Sequence, residues 1–209
     1  MRILLADDHA VVRQGLKQIL AAEFRNAVFG EASNGQQAID LVWKEPWDVV
    51  VLDITMPGQS GLDVLKAIRK SRPKLPVLML SMHPEDQFAV RMLKIGASGY
   101  MTKESAPAEL VGAVKKVLSG GHYVSAALAE KMASFLAMDV QTTPHERLSD
   151  REFLVLRQIG SGKTVTAIAK ELSLSVKTIS TYRTRILEKM GMLNSAELTH
   201  YAIQNNLVP

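Results

Sequence analysis

Val49-Val50-Val51-Leu52-Asp53 sets four apolar residues directly before a carboxylate. A run this short, apolar at every position rather than every second one, reads as a parallel strand buried on both faces. On either side of it, Ile3-Leu4-Leu5-Ala6 ends at Asp7 and Asp8, Val77-Leu78-Met79-Leu80 ends at Ser81, and Tyr100-Met101 leads to Lys103. The pattern predicts strands near 2–6, 27–32, 48–53, 76–81 and 98–101, with helices near 10–22, 35–44, 61–71, 85–95 and 107–119. Asn34-Gly35, Pro57-Gly58, Gly61, Pro73, Pro76, Pro84 and Gly96 punctuate the joints, and Pro107 suits a first helical turn. Five βα units in succession make a doubly wound α/β domain over residues 1–120.

In an open parallel sheet the carboxyl ends of the strands share one edge, and ligands bind there. Asp7, Asp8, Asp53, Ser81 and Lys103 should therefore converge. Three carboxylates, a hydroxyl and an ammonium suit a divalent cation together with a phosphoryl group. Asp53 is the candidate nucleophile, because a carboxylate can attack phosphorus to give an aspartyl phosphate. Mg2+ prefers an octahedron of oxygens, commonly one or two carboxylates with phosphate and water, a role open to Asp8 and Asp53, with Asp7 as an outer ligand. Lys103 would pair with the phosphoryl oxygens and Ser81 would hydrogen-bond one of them. Taken singly, each has a plainer explanation: an Asp after a strand is commonly a turn former or helix cap, and a lone Lys or Ser is commonly just exposed. Their recurrence at equivalent strand ends favours a site.

With 209 residues and no cysteine, the chain holds one large or two small domains and has neither disulfides nor thiolate metal sites. No apolar stretch approaches the roughly 18 residues of a membrane helix, and Met1-Arg2 leads straight into the first strand. The expectation is a soluble, non-exported, cytoplasmic protein with no membrane partner. The net charge of +4 is uneven: residues 145–209 hold nine Lys or Arg against six Asp or Glu, whereas residues 1–144 hold sixteen against fifteen. A positive excess in the C-terminal third points to a nucleic-acid partner there.

After Gly120-Gly121 the alternation of strand and helix stops. Ala126 to Met138 is a helical stretch of small residues, and Asp139 to Arg147, with Thr142-Thr143-Pro144, shows no apolar periodicity. Residues 121–147 thus read as a linker that includes a helix. Residues 148–209 make a second, smaller all-α domain, with helices near 149–160, 165–172, 176–190 and 195–206. Ala167, Ile168 and Leu172 give one short helix its apolar face, Ser173-Leu174 makes a turn, and Ser175 caps the next helix, which is a helix-turn-helix. In that next helix Val176, Ile179, Ile186 and Met190 are expected to pack inward, leaving Lys177, Ser180, Thr181, Thr184 and Arg185 outward. Short hydroxyl side chains allow close approach to base edges while Lys and Arg reach phosphates, a mixture that a merely solvated basic face does not require.

Gly160-Ser161-Gly162-Lys163-Thr164 imitates the end of a phosphate-binding loop, but Arg157 stands where that loop needs its first glycine. Ser149-Asp150-Arg151-Glu152 is moreover a capping-box sequence, so Phe153-Leu154-Val155-Leu156 is read as helix.

Leu5-Ala6-Asp7-Asp8-His9, Val51-Leu52-Asp53-Ile54-Thr55-Met56-Pro57-Gly58, Leu80-Ser81 and Gly99-Tyr100-Met101-Thr102-Lys103 resemble the receiver domain of response regulators, the acceptor half of two-component systems. The resemblance implies a flavodoxin-like (βα)5 fold and phosphoryl transfer to Asp53 from a histidine kinase. It also implies that the Thr55 carbonyl completes the cation site and that Tyr100 is a switch aromatic acting with Ser81 and Lys103. Glu104 stands where receivers commonly place Pro, and Met82 where the residue after the switch hydroxyl is often small. The bulk of Met82 is expected to hinder water attack and lengthen the life of the acyl phosphate.

Leu148-Ser149-x-Arg151-Glu152, Ile168-Ala169, Leu172, Ser175-Val176-Lys177-Thr178-Ile179 and Lys189-Met190 are similar to the LuxR-type output domain of NarL/FixJ response regulators. This second resemblance implies that Ser180, Thr181 and Thr184 face the major groove, and adds Lys177, Thr178, Tyr182, Arg183, Arg185 and Lys189 to the DNA-binding set, Tyr182 and the basic ones through backbone contact or helix packing. Together the two imply a transcriptional regulator rather than an enzyme, in which phosphorylation favours homodimerisation or domain release and so tighter binding to double-stranded promoter DNA. Weighed against it are a magnesium-dependent phosphohydrolase using Asp53, with the helical domain as a cap, and a constitutive DNA binder that needs no phosphate.

Overall fold

Strands that are apolar at every position need cover on both faces, and the first half of the chain supplies it. The computed structural model describes residues 1–82, 87–137, 143–172 and 174–208. The readings that touch Pro84, Met138, Asp139–Thr142 and Ser173 lie outside the described residues. β1 (Arg2–Ala6), β2 (Val28–Ala32), β3 (Val49–Asp53), β4 (Val77–Ser81) and β5 (Gly99–Thr102) form one parallel sheet in the order β2-β1-β3-β4-β5. They alternate with α1 (Ala10–Glu23), α2 (Gly35–Lys44), α3 (Gly61–Ser71), α4 (Gln87–Ile95) and α5 (Ala106–Leu118). This is the flavodoxin-like order, and the strand order reverses between β1 and β3, which opens a crevice at their carboxyl ends.

α1 and α5 pack on each other, and Leu16, Leu20, Leu110 and Val114 cover Ile3, Leu5, Val49, Val51, Leu78 and Leu80. Those are alternate strand positions, as the pleat requires. Leu4, Val50, Leu52 and Met79, equally buried, lie on the opposite face, which carries α2 and α4 with α3 between them. After α5 the chain returns to the sheet. Tyr123 N–H donates to the Ser98 carbonyl at 3.0 Å and the Tyr123 carbonyl accepts from Tyr100 N–H at 3.0 Å, so one residue pairs along the outer edge of β5. Pairing by a single residue leaves no periodicity, and nothing in residues 121–125 announces it.

Residues Phe135–Pro209 form a compact unit separate from Met1–Ser134, with α6 (Ala126–Ala137) running through the division. The second unit contains α7 (Asp150–Gly160), α8 (Val165–Glu171), α9 (Val176–Met190) and α10 (Ser195–Gln204). Each has its N-cap: Ser149, Thr164, Ser175 and Asn194 accept from the backbone N–H of Glu152, Ala167, Thr178 and Glu197. α9 stops at Gly191, whose left-handed φ of 67° favours a residue without a side chain. Phe153, Leu156, Ile168, Ile179, Ile186 and Leu198 fill the core.

Two expectations need correction. The end of the linker, read as lacking apolar periodicity, contains a 3-10 turn at Pro144–Arg147, where His145 is 5% exposed, lies against Phe153 and has its Nδ1 2.7 Å from the Tyr201 hydroxyl. One turn is too short to show a repeat, so its anchoring by a single aromatic cluster is invisible to periodicity. Val176, expected to pack inward, is instead 48% exposed, because it opens α9 and stands a turn ahead of the buried residues. The glycine-rich decoy resolves as a helix end: Gly160 closes α7 against Ala202, and Lys163 donates to Glu171 at 2.6 Å.

Candidate functional site

Register brings the polar strand ends together. Ala6 pairs with Leu52, Asp53 with Leu80 and Ser81 with Thr102, so Asp7 follows level with Asp53, and Ser81 and then Lys103 each stand one residue further along their strand ends. Lys103 Nζ donates to Asp53 Oδ2 at 2.8 Å and lies 2.7 Å from Asp7 Oδ2, an ion pair without a well-directed hydrogen bond. The other Asp53 oxygen accepts from Thr55 N–H at 3.2 Å, and Asp7 Oδ1 from His9 N–H at 2.8 Å. Lys103 N–H donates to the Ser81 carbonyl at 2.8 Å, which ties the loop after β5 to the end of β4. Asp7, Asp53, Ser81 and Tyr100 are each at most 1% exposed, whereas Asp8 reaches solvent.

The loop that carries Thr55 is shaped by a close approach. A Cβ on Gly61, the first residue of α3, would stand 2.0 Å from the Asp53 carbonyl oxygen, so the helix start touches the backbone of the strand end. Ser60 and Asp63 form a capping box there, and Gly61 N–H donates to the Ile54 carbonyl at 2.9 Å.

Burial pushes the Asp53 carboxyl up to about 6 against the pull of the Lys103 ammonium, and the neighbouring Asp7 charge adds to the rise. Burial works against the Lys103 charge too, but Asp53 and Asp7 outweigh it and hold the ammonium above its ordinary range. Two buried carboxylates thus share one cation, which leaves a negative excess. Asp7, Asp8, His9 and Asp53 each offer a ligand atom, and these atoms lie within 4.8 Å of one another. A donor set dominated by hard oxygens and short of positive charge fits a small divalent cation. His9, not assigned a role from sequence, joins this group through Nδ1, 2.8 Å from Asp8 Oδ1; its place directly after Asp8 was the available signal.

On α9, Lys177, Ser180, Thr181, Thr184 and Arg185 are exposed, whereas Tyr182 and Arg183 are half-buried. Some of the proposed contacts are engaged within the fold. Arg183 Nε donates to Ser195 Oγ at 2.6 Å at the start of α10, and Lys189 Nζ donates to Glu152 Oε2 at 2.6 Å in the α7 capping box. Thr178 shares a 2.8 Å hydroxyl contact with Ser175 at the N-cap.

Known proteins carry the same two patterns. Residues 3–115 match the response regulator receiver domain, and residues 146–202 match the bacterial regulatory proteins of the luxR family. The response regulator UvrY of Escherichia coli K12 is 36% identical over 208 residues, covering 99% of this chain and 95% of that protein. The response regulator GacA of Pseudomonas aeruginosa is 34% identical over 210 residues, covering 100% and 98%. The structure of RcsB from Salmonella enterica serovar Typhimurium, bound to promoter rprA with the phosphomimetic BeF3-, is similar at 29% identity and a TM-score of 0.65, covering 96% of this chain and 97% of that one. The chain belongs to the response regulators, with a receiver domain followed by a LuxR-type DNA-binding domain. Among the described residues no helix is long and apolar enough to cross a membrane.

Proposed function

We propose that Asp53 is the phosphoryl acceptor of this regulator and that its phosphorylation strengthens binding to double-stranded promoter DNA. The observation that carries the reading is the buried cluster in which Lys103 bridges Asp53 and Asp7. An Asp53 oxygen attacks the phosphorus of a kinase phosphohistidine, the P–N bond breaks, and the leaving imidazole keeps the electron pair and takes up a proton. Lys103 faces the phosphoryl oxygens and Ser81 donates to one of them, with Tyr100 following into the space Ser81 leaves. Asp8, Asp53 and the Thr55 carbonyl, with Asp7 outside them, would hold Mg2+, which would supply neutralising positive charge at the transferred group.

The added charge of roughly −2 biases the receiver surface toward a homodimer or releases the output domain. Residues 1–120 act as receiver, 121–147 as linker and 148–209 as DNA reader, with α9 in the major groove, in a cytoplasmic protein served by a sensor histidine kinase. Lys177, Thr178, Ser180, Thr181, Tyr182, Arg183, Thr184, Arg185 and Lys189 remain the proposed DNA-facing set, in which Arg183 and Lys189 also brace neighbouring helices.

The test is DNA affinity and oligomeric mass with and without beryllofluoride and Mg2+, for wild type and Asp53→Ala. Wild type should bind more tightly and become heavier, with binding that weakens as salt rises, while Asp53→Ala should not respond. A wild type that takes no phosphate from acetyl phosphate in Mg2+, or a variant that responds equally, defeats the reading.

A further inference from the structure

The solvent-facing arc of α9 is polar, yet three of its residues offer methyl groups rather than donors. Thr181 Oγ1 donates to the Lys177 carbonyl at 3.0 Å, and Thr184 Oγ1 donates to the Ser180 carbonyl at 3.1 Å. Val176 is 48% exposed at the start of the same helix. At about 100° per residue, positions 176, 177, 180, 181 and 184 fan over an arc of roughly 140°, with Val176 at the edge that borders the buried Ile179, Ile186 and Met190 and exposed because it opens the helix.

A hydroxyl has one hydrogen. When that hydrogen is given to the helix's own backbone, it is not available to guanine O6 or N7, nor to thymine O4. What Thr181 and Thr184 then offer is a γ-methyl group and an oxygen that can only accept. The apolar feature of the major groove is the thymine C5-methyl, and a threonine methyl is a known match for it. Lys177 and Arg185, exposed on the same helix, supply charge for flanking phosphates and leave base discrimination to the shorter side chains.

We infer that α9 selects thymine through methyl-to-methyl contact by Thr184 and Thr181, with Val176 extending the apolar strip, and not through hydroxyl donation to bases. The inference rests on the reading that α9 enters the major groove. It makes the threonine methyls, rather than the threonine hydroxyls, the specificity determinants.

The experiment uses the full chain with beryllofluoride and Mg2+ and a duplex selected from a random pool. Affinity is measured on that duplex and on copies in which single thymines become deoxyuridine, which removes the methyl alone. The proteins are wild type, Thr184→Val, which keeps the methyl, Thr184→Ser, which keeps the hydroxyl, and the same pair at Thr181. Deoxyuridine at one or more positions should weaken wild type about fourfold, the value of one buried methyl-sized group. Thr184→Val should keep that penalty, whereas Thr184→Ser should bind about fourfold more weakly and lose it. Weak binding by the valine variant with wild-type binding by the serine variant would overturn the inference, as would deoxyuridine without effect at every position. In that second case Lys177→Ala with Arg185→Ala tells which idea fell. Weakened binding leaves α9 on the DNA and removes only the methyl readout; unchanged binding removes the placement of α9 as well.

Discussion

Asp53 is 1% exposed and shares the Lys103 ammonium with a second buried carboxylate. The side chain is held where its charge is costly, and an incoming cation or the lysine itself lowers that cost. The convergence of these groups was legible from sequence, because the acid, the hydroxyl and the lysine each follow a recognisable strand, but the burial and the shared ammonium were not. Lys189 was named for backbone contact or helix packing, but its partner was not legible: Glu152 lies 37 residues away, and no local pattern reveals an ammonium that closes a distant capping box. Met82 is a residue-scale departure with a residue-scale consequence. It follows the buried Ser81 directly and is 71% exposed, so its thioether faces solvent next to the proposed acceptor site. Met82→Ala should shorten the acyl-phosphate lifetime several-fold, measured as loss of label from the phosphorylated protein in excess chelator. Unchanged kinetics would end that idea.

At the scale of elements, the meeting of β3 and α3 is the tightest constraint on the site. A Cβ at residue 61 has only 2.0 Å to the Asp53 carbonyl oxygen, so Gly61→Ala must move either the strand end or the helix start. The expected cost is about 1–3 kcal/mol in urea unfolding, accompanied by slower uptake of phosphate from acetyl phosphate. Full uptake at wild-type rate would show that the contact does not position Asp53. Sequence marked Gly61 only as a joint between elements, since a close approach between two backbones is a tertiary fact.

The start of α7 carries a pH dependence. Burial alone would raise the Glu152 carboxyl, but hydrogen bonds from Lys189 and Ser149 outweigh it and hold the group below its ordinary value of 4.5. Below that value the unfolded chain binds the proton more readily than the folded one. The stabilisation is therefore complete above about pH 4.5 and is lost as the pH falls through the depressed folded value. Glu152→Gln should cost about 1 kcal/mol at neutral pH and flatten the acid limb, read from amide hydrogen exchange in α7 and α9. An acid limb identical to wild type would refute the assignment.

For the whole molecule, the two halves could be told apart from the sequence because their periods differ: a succession of fully apolar runs in one, helical spacing and caps in the other. Harder to see was everything that joins through one residue, such as His145 against Tyr201 and Phe153, or Tyr123 against Ser98 and Tyr100. The Tyr123 pairing has a further effect. β5 is the last strand of its sheet, and an outermost strand tempts foreign extended segments to add on, which is a route to fibrils and swapped assemblies. Here the protein has blotted its own margin: the Tyr100 donor and the Ser98 acceptor are spent on Tyr123, whose hydroxyl is anchored on Glu109 at 2.6 Å. Two copies that meet along this side cannot extend the sheet through the Tyr100 donor or the Ser98 acceptor, since both are already engaged.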